Sequence, residues 1–201
     1  MIVRGIKMNN TKMAILKEAY ELFAENGYST SLDEVAKKVG IKTPSLYAHF
    51  ENKEELFFIL IKQEIESYFS KLDLQFRNLH GKNTYTQISG IFFSVMEYFK
   101  HDNRARFWRN IPLIKVAKLR DQCRLLIKQN DRKYSELMAA ILHQGVIHKE
   151  LRESVDDGSV NLLLAMIQGI LDGMLLYEND EFDIQLFALK AWQAFWDGIK
   201  Y

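Results

Sequence analysis

The sequence predicts an all-α fold in which a short three-helix unit precedes a larger helical bundle. The 201 residues include only 2 prolines and 10 glycines, which leaves room for long helices. Apolar residues recur at intervals of three and four along most of the chain, the period of an amphipathic helix. No stretch shows the strict apolar and polar alternation that is typical of half-buried strands.

The composition is that of an ordinary soluble globular protein, with 48% hydrophobic and 26% charged residues. Cys123 is the single cysteine, which excludes an internal disulfide framework, gives no zinc-ligand pattern and fits a reducing cytoplasm. The net charge is only +1, which excludes an evenly basic nucleic-acid binder. Residues 37–53, however, carry four lysines against one acid.

The first helix is expected from about Thr11 to Gly27, after a loose N-terminal arm. The second is expected to begin after Ser31, which forms a capping box with Glu34, and to end at Gly40. Each helix has one apolar stripe. The stripes consist of Ile15, Ala19, Leu22 and Phe23 in the first helix, and of Leu32, Val35, Ala36 and Val39 in the second.

The third helix is predicted to be short, with Thr43 as its N-cap and Pro44 at its first position. Leu46 and Phe50 are expected to face the core. The opposite face carries small or polar side chains, namely Ser45, Ala48 and His49, with Thr43 and Tyr47 on the flank. A narrow outer face of this kind favours a helix-turn-helix that enters a major groove. The alternative is a plain helical hairpin within a bundle.

The segment GIKTPSLYAHFENKEEL, with ILKEAYELFAENGYSTSLDEVAKKVG upstream, resembles the signature of TetR-type transcriptional regulators. The resemblance covers roughly residues 11–60; the rest of the chain matches the family in length and helical character alone. It departs from the family at Lys42, where a capping serine or threonine is usual. The resemblance implies a helix-turn-helix DNA-binding domain, residues 1–52, and a helical effector-binding and dimerisation domain, residues 53–201.

The expected partner of the first domain is double-stranded operator DNA. Ser45 and His49 are the candidates for contacts with base edges, and Pro44 and Ala48 for contacts with thymine methyl groups. Polar and cationic side chains around them are expected to bind phosphate oxygens. These phosphate-binding candidates are Thr30, Ser31, Lys42, Thr43, Tyr47 and Lys53.

The larger domain is expected to start with a long helix capped by Asn52, with Glu55 as the partner in its capping box. Further helices are expected over 84–100, 103–110, 116–143 (ended by Gly145), 160–177 and 182–200. The segment 160–177 is nearly long enough to span a bilayer. Asn161, Gln168 and Asp172 within it argue against a membrane, where such side chains are costly.

By resemblance to the family, the helices at 160–177 and 182–200 form the interface of a homodimer. A small hydrophobic or amphipathic effector, with an acyl thioester as one option, is expected to release the protein from its operator. The aromatic and methionine residues predicted near its cavity, with Arg104, Arg106 and Arg109 nearby, are Phe92, Phe93, Met96, Phe99, Phe107, Trp108, Met138 and Met166.

The leading prediction is therefore a cytoplasmic, ligand-responsive DNA-binding regulator, most simply a repressor. The alternative is a helical ligand-binding or protein-interaction module whose helix-turn-helix is structural. Nothing groups serine, histidine and aspartate together, so no catalytic residue, metal site or cofactor is predicted, and an enzyme has no positive support. His143 and His148 are interpreted as solvated loop histidines rather than metal ligands.

Overall fold

The computed structural model describes residues 2–101, 103–177 and 183–201, with side chains described from residue 10 onward within those ranges. These ranges contain helices and no strand, and a single antiparallel bridge joins Leu151 to Lys200. The helices are α1 (Ile2–Asn26), α2 (Leu32–Val39), α3 (Thr43–Tyr47), α4 (Lys53–Leu79), α5 (Thr84–Phe99), α6 (Arg104–Asn110), α7 (Ala117–Ile147), α8 (Asp157–Leu176) and α9 (Ile184–Ile199). The all-α prediction is confirmed.

Two boundaries differ from the predictions by four residues or more. Helix α1 begins at Ile2 rather than near Thr11, so the backbone of the expected N-terminal arm is helical. Helix α7 continues to Ile147, so Gly145 does not end it. Gly145 instead permits close packing, since a Cβ atom added there would lie 2.7 Å from Thr84 Oγ1 and 2.8 Å from Leu151 Cδ1.

The chain divides into two compact units. The first comprises Met1–Ser67 and Arg106–Ile127, and the second comprises Tyr68–Ala105 and Lys128–Tyr201. Helices α4 and α7 each supply residues to both units.

The core of the first unit is built from the predicted apolar stripes. All four stripe residues of α1 are buried, as are Leu32, Val35 and Ala36 of α2, whereas Val39 is half-buried. The ring of Phe107 fills the centre of this unit, with its centroid 4.5 Å from that of Tyr20 and 4.9 Å from that of Phe23. Residues 106–110 of α6 are therefore an integral part of the first unit, whereas Arg104 and Ala105 belong to the second.

Aromatic side chains also form the core of the second unit. Tyr134 stacks on Phe69 with a centroid separation of 5.1 Å, and its hydroxyl donates to the Phe69 carbonyl at 2.8 Å. Trp192 of α9 stacks on Phe92 of α5 at 5.2 Å. The first contact packs α7 against α4, and the second packs α9 against α5. The apolar surface that these contacts bury is the main source of packing free energy.

Candidate functional site

The N-terminus of α2 is held by a reciprocal capping box, as predicted. The amide of Glu34 donates to Ser31 Oγ at 3.2 Å, and the amide of Ser31 donates to Glu34 Oε2 at 2.7 Å. The hydrogen bond from the Ser31 amide is the main cause that lowers the pKa of Glu34. The carboxylate of Glu34 therefore stays ionised and neutralises the positive end of the helix.

The turn between α2 and α3 depends on Gly40, which adopts φ of 76° in the left-handed region. The amide of Ile41 donates back to the carbonyl of Ala36 at 3.0 Å and closes the turn. Glycine is the residue that enters this conformation at least cost, and it ends α2 as predicted.

The start of α3 corrects the predicted cap. Lys42 occupies the N-cap position and makes no side-chain cap hydrogen bond, so Thr43 is the first helical residue and Pro44 the second. The hydroxyl of Thr43 donates instead to Asp33 Oδ1 of α2 at 2.6 Å. Thr43 thus links the two helices of the motif rather than capping the second one.

The outer face of α3 is exposed and carries no large aliphatic side chain. Leu46 and Phe50 are fully buried beneath it, as predicted. Thr43 and His49 are half-buried at its edges, and the phenol of Tyr47 is 53% exposed on the flank. The exposed members of the predicted contact set on and before α3 are Lys42, Pro44, Ser45, Tyr47 and Ala48.

Lys53 lies at the start of α4 and is already engaged within the first unit. Its Nζ donates to the carbonyl of Tyr28 at 2.6 Å and lies 4.2 Å from the centroid of the Tyr28 ring. The hydroxyl of Tyr28 in turn donates to Glu54 Oε1 at 3.0 Å. Burial lowers the pKa of the Lys53 ammonium. We call this group of Tyr28, Lys53 and Glu54 the turn clasp.

Thr30 requires a correction. Its side chain is 1% exposed, and its hydroxyl donates to the carbonyl of Leu22 at 2.9 Å. This hydroxyl closes the end of α1 and is turned away from solvent, so it is not placed to bind a phosphate oxygen. Ser31, the neighbouring candidate, is half-buried, and its hydroxyl also donates to Glu34 Oε2 at 2.7 Å.

Six of the eight predicted effector residues lie in the second unit, and Phe107 and Trp108 lie in the first. Phe107 is fully buried core, and Trp108 donates from Nε1 to Glu64 Oε1 at 3.2 Å within its own unit. Phe107 and Trp108 are therefore held in a different unit from the other six predicted residues. In the second unit Phe92, Met96, Phe99 and Met138 are buried, Met166 is half-buried and Phe93 is 37% exposed.

The second unit also contains a groove of about 380 Å³ between α4, α5 and the start of α6. It is open to solvent on one side. None of the eight aromatic and methionine residues predicted to contact the effector lines it, whereas Arg104, predicted to lie near them, does. Its lining residues are Tyr68, Lys71, Leu72, Leu74, Gln75, Asn78, Ser94, Glu97, Tyr98, His101 and Arg104.

Comparison with known proteins places the helix-turn-helix in a family. Residues 15–59 match the family of bacterial regulatory proteins named tetR. The fatty acid metabolism regulator protein of Bacillus subtilis is 26% identical over 164 residues, which cover 80% of this chain and 79% of that protein. IcaR of Staphylococcus epidermidis, the negative transcriptional regulator of the biofilm operon icaADBC, is 36% identical over 96 residues. That match covers 46% of this chain and 48% of IcaR.

Solved structures agree with the helical fold along nearly the whole chain. The ketosteroid transcriptional regulator KstR2 of Mycobacterium tuberculosis superposes with a TM-score of 0.74, at 19% identity, over 94% of this chain and 95% of its own. FadR of Bacillus subtilis, in complex with stearoyl-CoA, superposes with a TM-score of 0.69, at 19% identity, over 92% and 98%. The capping box, the glycine turn and the small-faced α3 lie inside the matched segment. Residues 15–59 therefore carry the helix-turn-helix of the TetR family of transcriptional regulators.

Proposed function

We propose that the protein is a homodimeric repressor that binds operator DNA through α3 and leaves it when a small hydrophobic or amphipathic effector binds the helical domain. The observation that carries this proposal is the exposed outer face of α3, which is supported from below by the fully buried Leu46 and Phe50. A rigid helix with small outward side chains can approach base edges closely. We retain residues 1–52 as the DNA-binding domain and 53–201 as the effector-binding and dimerisation domain.

Within this proposal, Ser45 and His49 contact base edges, and Pro44 and Ala48 contact thymine methyl groups. Phosphate contacts come from Ser31, Lys42, Thr43, Tyr47 and Lys53, without Thr30. Lys53 has three donor hydrogens, and the bond to the Tyr28 carbonyl occupies one of them. The turn clasp therefore positions the ammonium group for a phosphate without preventing its contact with one.

The homodimer is supported by the exposed surfaces of α8 and α9. Helix α8 is long and apolar enough to cross a membrane, yet only 17% of its most apolar segment is buried within the chain. Leu162, Leu176, Phe187 and Leu189 are all exposed. A second copy would cover this face, and two reading helices then meet successive major grooves roughly 34–36 Å apart. The predicted interface residue Phe182 lies outside the described residues.

We place the protein in the cytoplasm, because a regulator that binds operator DNA works where the chromosome lies. A second copy that covers α8 would account for its apolar surface without a membrane. The family supports a non-enzymatic role, and we assign the chain no catalytic step and no cofactor.

The effector class is supported by a relative. FadR of Bacillus subtilis has been solved in complex with stearoyl-CoA, and the fatty acid metabolism regulator protein of the same organism matches four fifths of this chain. We propose a hydrophobic acyl chain or a planar molecule of similar polarity. The buried Phe92, Met96, Phe99 and Met138, with Phe93 and Met166, remain the predicted contacts, since methionine can repack around a guest.

The deciding experiment selects genomic fragments that bind the purified protein and measures their affinity at low and moderate salt. A repressor enriches discrete fragments, and its affinity falls steeply with salt because bound cations leave the phosphates. Absence of sequence enrichment, with normal folding by circular dichroism, would instead support the helical interaction module. Titration of acyl-CoA thioesters against the selected operator then tests effector release.

A further inference from the structure

We propose that the groove between α4, α5 and α6 is a binding site for a small amphipathic anion, with a carboxylate head and an apolar tail. None of the eight aromatic and methionine residues predicted to contact the effector lines this groove, and the proposal concerns binding alone. It does not depend on whether that binding releases DNA. Its volume of about 380 Å³ lies within the usual range of small-molecule sites.

The head of the anion is placed by two cations that converge on one aromatic ring. Lys71 Nζ lies 4.8 Å from the centroid of the Tyr98 ring, and the Arg104 guanidinium carbon lies 4.3 Å from it. Arg104 also donates from NH1 to the Tyr98 carbonyl at 3.0 Å, which holds its guanidinium at the groove. A guanidinium carries five donors in a fixed fork that matches a carboxylate.

The acidic side chain of the groove is already partnered. Glu97 lies 2.9 Å from His101 Nε2, and this hydrogen bond is the main cause that lowers the pKa of Glu97. The carboxylate of Glu97 opposes only one of the two cations, Lys71 and Arg104. Lys71 and Arg104 therefore give the groove a positive balance, which favours an anion over a neutral ligand of the same shape.

The tail of the anion is accommodated by apolar surface at the same groove. Leu72 is buried and Leu74 is 57% exposed, and the Tyr68 ring packs against Tyr98 with a centroid separation of 5.0 Å. Gln75, Asn78 and Ser94 add uncharged amide and hydroxyl groups to the lining. A cationic end beside an aliphatic and aromatic floor fits a fatty carboxylate better than a sugar phosphate, which has no apolar part to bury.

The test is isothermal titration calorimetry of the full-length protein, without DNA, against decanoate and against neutral decan-1-ol. Decanoate should bind the parent protein at least about tenfold more tightly than the alcohol, as expected for a charge-assisted hydrogen bond. The variant Lys71→Gln should lose roughly tenfold in decanoate affinity, and Lys71→Arg should retain it. Arg132→Gln, an exposed cation of the same unit paired with Glu136, is the matched control and should bind as the parent does.

A steric variant tests the same groove without a change of charge. Ser94→Phe should block the groove and abolish decanoate binding while circular dichroism remains unchanged. Decanoyl-CoA provides a separate arm, because a thioester has no carboxylate head. If Lys71→Gln weakens the binding of decanoyl-CoA as much as that of decanoate, the proposed carboxylate head is overturned. The proposal is also overturned if decanoate fails to bind the parent, or if Lys71→Gln or Ser94→Phe binds it as tightly as the parent.

Discussion

The side-chain amide of Asn110 donates to the main-chain carbonyl of Phe23 at 2.8 Å, and to that of Ala24 at 3.0 Å. The end of α6 thus satisfies two carbonyl groups in the last turn of α1, which have no partner within their own helix. The same amide packs on Gly27, whose φ of 62° lies in the left-handed region. Residues separated by more than eighty positions therefore define where α1 stops and where the helix-turn-helix begins.

Replacing Asn110 with alanine should destabilise the protein by about 1–3 kcal/mol, because the two carbonyls lose their buried donor. Asn110→Asp should be at least as damaging, since its carboxylate has no N–H and repels both oxygens. Urea unfolding followed by circular dichroism measures the change. Gln122→Ala, which removes an exposed side-chain amide on α7, is the control. Parent-like stability of Asn110→Asp would show that the amide donors are unimportant.

Two glycines of the second unit should respond oppositely to alanine. Gly145→Ala places a methyl group 2.7 Å from Thr84 Oγ1 and 2.8 Å from Leu151 Cδ1, and both partners are buried. We expect a loss of about 1–3 kcal/mol from overpacking. A Cβ atom added at Gly198 of α9 would lie within 4 Å of no atom of the described residues. Gly198→Ala should therefore stabilise the protein by up to about 1 kcal/mol. Thermal unfolding of the two variants side by side checks the expected signs.

His49 and Lys42 should affect DNA binding in different ways, the first through sequence preference and the second through affinity for every sequence. His49→Ala should relax preference at one operator position, at a cost of about 1–3 kcal/mol for the preferred base. Lys42→Ala should instead weaken binding to every sequence and reduce the salt dependence by about one counterion. Fluorescence anisotropy on an operator and its point variants distinguishes the two patterns. Lys62→Ala, on the exposed surface of α4, serves as the charge control.

An arginine at Gly169 should prevent the proposed dimer and leave the monomer folded. No atom of the described residues lies within 4 Å of a Cβ atom added at Gly169, so this position has room for a larger side chain. Gly173 is a poorer choice, because its added Cβ would lie 3.1 Å from Ile184 Cδ1 of the same chain. Light scattering should report a monomer for Gly169→Arg and a dimer for Ala140→Arg on α7. A Gly169→Arg dimer would place the interface elsewhere.

The pairing of Asp73 with Lys133 should make a pH-dependent contribution to stability. Lys133 Nζ lies 2.7 Å from Asp73 Oδ1, and this hydrogen bond is the main cause that lowers the pKa of Asp73 below 3.8. A carboxyl group whose folded pKa is depressed contributes stability above its unfolded pKa and loses it as the pH falls through the folded value. Lys133→Met should therefore cost about 0.2–1 kcal/mol at pH 7, and the cost should shrink below about pH 4.

Local sequence signals predicted the reading motif well. The capping box of Ser31 and Glu34, the left-handed Gly40 and the buried Leu46 each depend on residues within a few positions of one another. The cap of α3 was predicted incorrectly because Thr43 bonds to Asp33, ten positions away on another helix. Burial of Thr30 likewise depends on Leu22, which lies on α1.

The effector residues were harder to predict for a related reason. Periodicity shows that Phe107 faces a core, but it does not show that the core is that of the first unit, beside Tyr20 and Phe23. The groove around Tyr98 is built by side chains from three helices, and its lysine and arginine lie more than thirty positions apart. No local pattern marks such a set.

The exposed apolar face of α8 and α9 has a genetic consequence. The reading residues fall within 15–59, whereas the face that pairs in the proposed dimer lies beyond residue 157. A copy damaged only in α3 would therefore still capture an intact copy, and the mixed pair would hold one functional reading helix. Alleles altered at Ser45 or His49 should consequently be dominant, silencing the normal protein in the same cell, whereas an allele carrying Gly169→Arg should be recessive.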